Sequence, residues 1–287
     1  MAIGDSLGAD WEGSFAPGRI KEIGAYYTDD TAMTIGVAQS LIECGGFNVE
    51  HMTEKFIENY EREPWRGYAM GPPTIFRMIK EQGVVKTELD KIFYPGGSFG
   101  NGSAMRVSPI GLFYHDSPLK LRKVASKSSK ITHSHPLGVE GAVIEAYAVA
   151  LALKEEPDFI GKLIEFTVEN SYKKKLELIR LLIDKIDKKE SNSEIVRKLG
   201  NGIEAFNSVP LAIYSFLANS SFEDSVVYAV ESGGDTDTIA AMCGAIAGAK
   251  YGVEAIPDAW LEKLENRSYL EKLACDLWET VTQSKKK

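Results

Sequence analysis

Seven residues, Ser232-Gly233-Gly234-Asp235-Thr236-Asp237-Thr238, run straight into the apolar stretch Ile239–Ala249, made mostly of small side chains. That stretch is too short to span a bilayer and reads as a buried helix. Gly233 and Gly234 permit backbone angles that a Cβ forbids, and an Asp or Thr after them supplies the helix N-cap. Gly244 and Gly248 share one face and are expected to let a neighbouring backbone come close. Asp235 and Asp237 then stand at the mouth of a rigid buried helix. Two negative charges are costly there unless something positive binds them.

A second stretch has the same character. Tyr27-Thr28-Asp29-Asp30-Thr31 opens a helix-forming segment predicted over Thr28–Ile42. Each motif alone is ambiguous, because acids and Thr suit any helix N-terminus, where they cap free N–H groups and meet the helix dipole. If the two converge, four carboxylates and several hydroxyls make an all-oxygen cage, suited to Mg²⁺, Mn²⁺ or Ca²⁺ rather than zinc or iron. Two ions suit it better than one, since four carboxylates around a single divalent ion leave excess negative charge.

The chain has 287 residues, 44% of them hydrophobic, enough for a substantial core in one large domain or two small ones. A net charge of −8 argues against nucleic acid as a main partner. The three cysteines, Cys44, Cys243 and Cys275, lack metal-ligand spacing, and so sparse and odd a count fits a reducing compartment. Met1–Leu7 has neither a basic region nor an apolar run of the signal-peptide kind. With no membrane span read either, the expectation is a soluble intracellular monomer, in cytoplasm, nucleus or mitochondrion.

Along the chain, Met1–Glu12 reads as a glycine-punctuated surface turn with solvated Asp5, Asp10 and Glu12, and residues 13–26 as loop. Apolar spacing predicts helices at His51–Tyr60, Thr74–Gln82 with Pro73 in the first turn, Ala104–Phe113 with Arg106 as its one charge, Leu119–Lys130 and Leu137–Lys154. Thr87–Ile92 is short and of ambiguous helicity. Further helices are predicted at Phe159–Asn170, Lys174–Lys185, Ser193–Leu199, Glu204–Ala218 (broken or kinked at Pro210), Phe222–Ser232 and, as one or two, Glu254–Thr280. The polar run 185–193 reads as a surface connection and Lys285–Lys287 as a solvated tail. No set of period-two runs appears, so the fold class is all-α.

Two loops carry further chemistry. Tyr94–Ser103 is the most glycine-dense segment; it can wrap phosphates or carbonyls, or be an ordinary tight turn, and it is neither a Walker loop nor a dinucleotide fingerprint. His133-Ser134-His135 has zinc-like spacing without a third nitrogen or sulfur cluster. It reads as a structural loop or as one histidine touching a ligand.

Taken in order, G-D-S-L-G-A-D-W-E (4–12), Y-Y-T-D-D-T-A-M (26–33), R-G-Y (66–68), G-S-F-G-N-G-S-A-M-R-V (97–107), I-T-H (131–133), L-G-N-G-I-E-A-F-N-S-V-P-L-A-I-Y (199–214) and G-G-D-T-D-T-I-A-A-M-C-G-A-I-A-G-A-K-Y-G (233–252) resemble the ADP-ribosyl-acceptor hydrolase, or ADP-ribosylglycohydrolase, family over nearly the whole chain. Within it, Y-Y-T-D-D-T-A-M, G-S-F-G-N-G and L-G-N-G-I are most similar to the branch that removes ADP-ribose from serine and degrades poly(ADP-ribose).

The resemblance implies one orthogonal multi-helix domain over residues 1–287 with a binuclear Mg²⁺ centre in a cleft, Mn²⁺ being an alternative. By motif position it implies Thr28, Asp29, Asp30, Asp235, Asp237 and Thr238 as metal ligands. Glu12, Asp30 and Asp235 become the residues of catalysis, with Glu12 in acid–base or gating work. Gly97, Ser98, Gly100 and Gly102 would hold a diphosphate, Phe99 would pack on adenosine where this branch often has Tyr, and Asn101 and His133 would make polar contacts. Gly67 and Tyr68 would lie near the distal ribose. The partners implied are ADP-ribose and ADP-ribosylated proteins. In the family a helix normally precedes G-D-x-x-G; here Met1-Ala2-Ile3 stands before it. Alternatives are another linkage (ADP-ribosyl-arginine or O-acetyl-ADP-ribose) and a non-catalytic crystallin-like or ADP-ribose-binding member.

Overall fold

Residues spaced three and four apart along the sequence become helices, as shown by a computed structural model that describes residues 1–14, 20, 22–184 and 190–284. In chain order the α-helices are α1 (Ala2–Gly8), α2 (Asp29–Cys44), α3 (Val49–Arg62), α4 (Gly71–Gln82), α5 (Ser108–Phe113), α6 (Pro118–Ser129), α7 (Pro136–Leu153), α8 (Phe159–Phe166), α9 (Asn170–Ile183), α10 (Asn192–Leu199), α11 (Ala205–Leu217), α12 (Phe222–Glu231), α13 (Thr236–Tyr251), α14 (Asp258–Lys263) and α15 (Arg267–Ser284). Leu89–Ile92 is a 3₁₀ turn. Among the described residues there is no strand, only an isolated bridge between Gly100 and Glu204. The run 185–193 begins, and the tail 285–287 lies, outside the described residues.

The centre of the molecule is α13, buried from Thr236 to Ala247 and packed against α1, α7, α11 and α12. Its neighbour α7 is long and apolar enough to cross a membrane, yet 78% of it is buried within the protein, which makes it a core helix.

The first twelve residues correct the expectation of a surface turn in part, since Asp10 and Glu12 are exposed as expected. Met1–Glu12 holds the helix α1, and Asp5 is fully buried. The physical reason is the contact with α13: a Cβ on Gly4 would sit 2.0 Å from the Ala240 carbonyl oxygen, and one on Gly8 2.5 Å from the Asp237 nitrogen. Glycine here is a docking surface, not a breaker. The close backbone approach to α13 thus runs through Gly4 and Gly8, while Gly244 and Gly248 have only ordinary contacts, at 3.5 and 3.9 Å.

Pro210 does not break α11. Proline leaves the carbonyl four residues back without its helical donor; that carbonyl, Phe206, accepts from Lys175 Nζ at 2.6 Å. Lys175 also donates to Leu199 O and Asn207 Oδ1, each at 2.6 Å. A lysine from α9 thus replaces the lost bond.

Candidate metal centre and its cleft

The N-termini of α2 and α13 meet. Thr28 caps α2, its hydroxyl accepting from Asp30 N–H at 3.3 Å and donating to Asp30 Oδ2 at 3.1 Å. Thr238, from the first turn of α13, donates to the same Asp30 oxygen at 3.4 Å, a contact across 208 residues. Gly233 and Gly234 take φ of +66° and +77°, turning the chain so that Asp235 opens α13. Asp235 makes no capping bond; its Oδ2 accepts from Asn101 Nδ2 at 2.5 Å.

Asp5 positions α2 from behind. Its carboxylate accepts from Thr28 N–H at 2.9 Å, Thr31 N–H at 3.0 Å and the Thr31 hydroxyl at 2.5 Å. Asp5→Ala strands these buried donors and is expected to cost about 2–3 kcal/mol, read by urea denaturation.

Glu12, Asp235 and Asp237 each bring a carboxylate oxygen within 4.8 Å of the other two. Asp237 is pushed up to about 9, first by burial and then by Asp235, and Asp29 up to about 8 by burial and by Asp5. Burial and Asp237 hold Asp30 well above the usual carboxylate range, and Glu12, although exposed, is raised by its partial burial and by Asp235. Asp30 Oδ1 is buried with no hydrogen-bond partner. Clustered, mutually repelling oxygen donors with one oxygen unmatched fit one or two hard divalent cations. Thr28, Asp29, Asp30, Asp235, Asp237 and Thr238 all line one cleft with Glu12, of about 220 Å³.

The rest of the cleft is lined by Gly67, Ser98, Gly100, Asn101, Gly102, Met105, Arg106, Thr132 and His133, among others. The glycine-rich loop is closed on itself: Gly97 N–H donates to Tyr94 O, Gly100 N–H to Ser98 Oγ, and Asn101 N–H to Ile203 O. Asp90, fully buried in the Leu89–Ile92 turn, accepts from Ser98 N–H at 2.7 Å and Ser134 N–H at 2.8 Å, so one carboxylate ties this loop to the histidine segment. Nothing in the sequence around Asp90 signals that role, because Ser134 lies 44 residues away.

The two histidines divide. His135 caps α7, its Nδ1 accepting from Leu137 N–H at 3.1 Å. His133 lines the cleft; burial and the nearby Arg106 push it down to about 3, so it is neutral. Buried Arg106 donates from Nη2 to Thr132 Oγ1 at 2.8 Å, and the same hydroxyl shares a hydrogen bond with His133 Nδ1, also at 2.8 Å. When the threonine donates, the neutral ring carries its proton on Nε2, which lies beside Gly100 and Gly102. A Cβ on Gly102 would sit 2.8 Å from the ring, so only glycine leaves the imidazole in place. Thr132→Val removes the hydroxyl between Arg106 and His133 and is expected to change the tautomer balance of the His133 ring, read from its ¹⁵N chemical shifts, with Thr132→Ser restoring it.

Three sequence-predicted residues do not line this cleft. Phe99 is exposed with its ring against His135 and Phe206, at centroid distances of 5.5 and 6.2 Å. Gly97 packs on Ser134, and Tyr68 stacks edge-on with Tyr60 at 5.0 Å.

The sequence profile of the ADP-ribosylglycohydrolase family matches residues 1–287. Human ADP-ribosylhydrolase ARH3 is 35% identical over 93% of this chain and 82% of its own length. An uncharacterized protein of Archaeoglobus fulgidus is 35% identical over 97% of this chain and 93% of its own. The ADP-ribosylarginine hydrolase Tri1 of Serratia proteamaculans is 24% identical over 97% of this chain and 76% of its own. A solved structure described as an ADP-ribosylglycohydrolase-related protein complex shares the fold, with a TM-score of 0.77 at 24% identity, over 98% of this chain and 94% of that one. The chain belongs to the ADP-ribosylglycohydrolase family and is an ADP-ribosyl hydrolase.

Proposed function

We propose that this hydrolase cleaves the O-glycosidic bond between ADP-ribose and serine on modified proteins, with poly(ADP-ribose) as a second substrate, and that it works with two Mg²⁺ ions. The observation that carries the reading is the unpartnered Asp30 Oδ1 among clustered carboxylates, with the proton affinities of Asp29, Asp30 and Asp237 raised by burial and by neighbouring acids. The serine linkage rests on the sequence motifs around Thr28–Asp30, Ser98–Asn101 and Asn201–Ile203.

Thr28, Asp29, Asp30, Asp235, Asp237 and Thr238 would hold the ions. When bound, such ions supply positive charge and Lewis acidity at the carboxylate end of the cleft. The Nε2–H of His133 and the Ser98 hydroxyl are donors for diphosphate oxygens. Asp235, fixed by Asn101, orients the ribose end and the incoming water. Glu12 has a raised proton affinity and little enclosure, which suits a group that takes a proton from water or gives one to the departing serine oxygen. The bond from the anomeric carbon to the serine oxygen breaks, water adds at that carbon, and serine leaves with a proton. The chain is expected to act as a monomer.

The test is release of ADP-ribose from a serine-modified peptide with Mg²⁺ and with excess EDTA, beside arginine-linked and O-acetyl substrates. Metal-dependent release from serine alone supports the reading. Release from arginine in preference to serine overturns the linkage, and undiminished release in EDTA overturns the metal.

A further inference from the structure

The cleft does not stop at the carboxylates. Thr28 and Gly67, which line its carboxylate end, also line a second, open groove of about 650 Å³, a volume in the range of ligand clefts. Two large rings stand over this groove in water: Trp65 is 71% exposed and Tyr26 68% exposed. Solitary exposed apolar residues need no explanation, but a Trp and a Tyr over one groove are the residue types that dominate binding energy at interfaces.

The floor between them is rigid. The Arg66 guanidinium lies 4.0 Å over the Tyr27 ring and donates to Glu265 at 2.7 and 2.9 Å and to Glu63 at 2.8 Å. Its charge is thereby matched by two carboxylates. The acidic groups Asp10 in the groove and Glu12 at the neighbouring carboxylate end remain. Among the described residues, then, the groove offers aromatic faces and negative charge on a fixed base.

We infer that this groove is the acceptor site: it holds the polypeptide that carries the ADP-ribosyl group, an extended segment with Lys or Arg beside the modified residue. The inference rests on the proposed function, which puts the diphosphate at the glycine-rich loop and the breaking bond at the carboxylates. Thr28 and Gly67 join that end of the cleft to this groove, which gives the acceptor a way out. Trp65 and Tyr26 would stack on the peptide backbone and on the flat or cationic side chains beside the modified residue.

The experiment compares kcat/KM for two substrates in the wild type, Trp65→Ala, Tyr26→Ala and the double variant. One substrate is a basic serine-modified peptide, the other the methyl glycoside of ADP-ribose, which has no polypeptide. Peptide-to-glycoside selectivity is expected to fall about tenfold for each single variant, with free ADP-ribose binding as the folding control. Selectivity that does not change overturns the inference, whether or not both rates fall together. A changed sedimentation coefficient with unchanged selectivity assigns the rings to contact between copies instead. A wild type that cleaves neither substrate sinks the proposed function, and the acceptor site with it; one that cleaves both separates the two questions.

Discussion

Asp30→Asn is expected to give a folded protein that has lost ADP-ribose release by at least about 10³-fold, and that melts at a higher temperature than the wild type when metal is absent. The substitution keeps the shape and the acceptor oxygen that meets the Thr28 and Thr238 hydroxyls at 3.1 and 3.4 Å. It removes one charge from a group crowded by Asp237, Asp5, Asp29 and Asp235. In the metal-free protein that charge, or the proton needed to suppress it, is a cost. Removing it relieves repulsion, and a gain of a few degrees is the scale to expect for a chain of this size. With Mg²⁺ the order should reverse, because the wild type gains binding energy that the variant lacks. A purely structural Asp30 would give the opposite pattern: lower stability with activity falling in proportion. Melting curves with and without Mg²⁺, beside turnover of a serine-modified peptide, separate the two.

The two carboxylate pairs were legible in the sequence, and that they meet is what the structure adds. Paired carboxylates at two helix N-termini are local patterns, and helix starts are among the features that sequence marks well. The all-α class was equally legible from the spacing of apolar residues. What escaped was whatever depended on remote partners. α1 was hidden because glycine scores as a breaker; its Gly4 and Gly8 make sense only beside Ala240 and Asp237 of α13. Arg106 reads as a lone charge until Thr132 and His133 come beside it, and Asp90 is not singled out in the sequence, although Ser98 and Ser134 donate to it. Pro210 reads as a break until Lys175 arrives from another helix. In each case the residue type is ordinary, and the function lies in a contact that no periodicity encodes.

Stability without metal should fall as pH rises from 7 to 9, and Mg²⁺ should abolish most of that fall. Asp29 is pushed up to about 8 and Asp237 to about 9, with burial the first cause of each, and Asp30 lies well above the ordinary range. Unfolded, all three release their protons near the usual carboxylate values. Between these limits the folded chain binds protons that the unfolded chain has lost, so folding weakens as pH climbs through the folded-state values. His133, held down to about 3 by burial, works against folding only below about 6.5, so it does not enter this window. Lys175, pushed down to about 8 by burial, acts in the opposite sense and cancels when melting points with and without Mg²⁺ are subtracted. Cation binding would displace the same protons, so Mg²⁺ affinity is expected to rise with pH. The shift in melting point on adding Mg²⁺ is therefore expected to be larger at pH 9 than at pH 7, and Asp30→Asn should flatten the difference. A Mg²⁺ shift that is equal at the two pH values would mean that the carboxylates are ionised before the metal arrives, and the crowded cage would lose its thermodynamic basis.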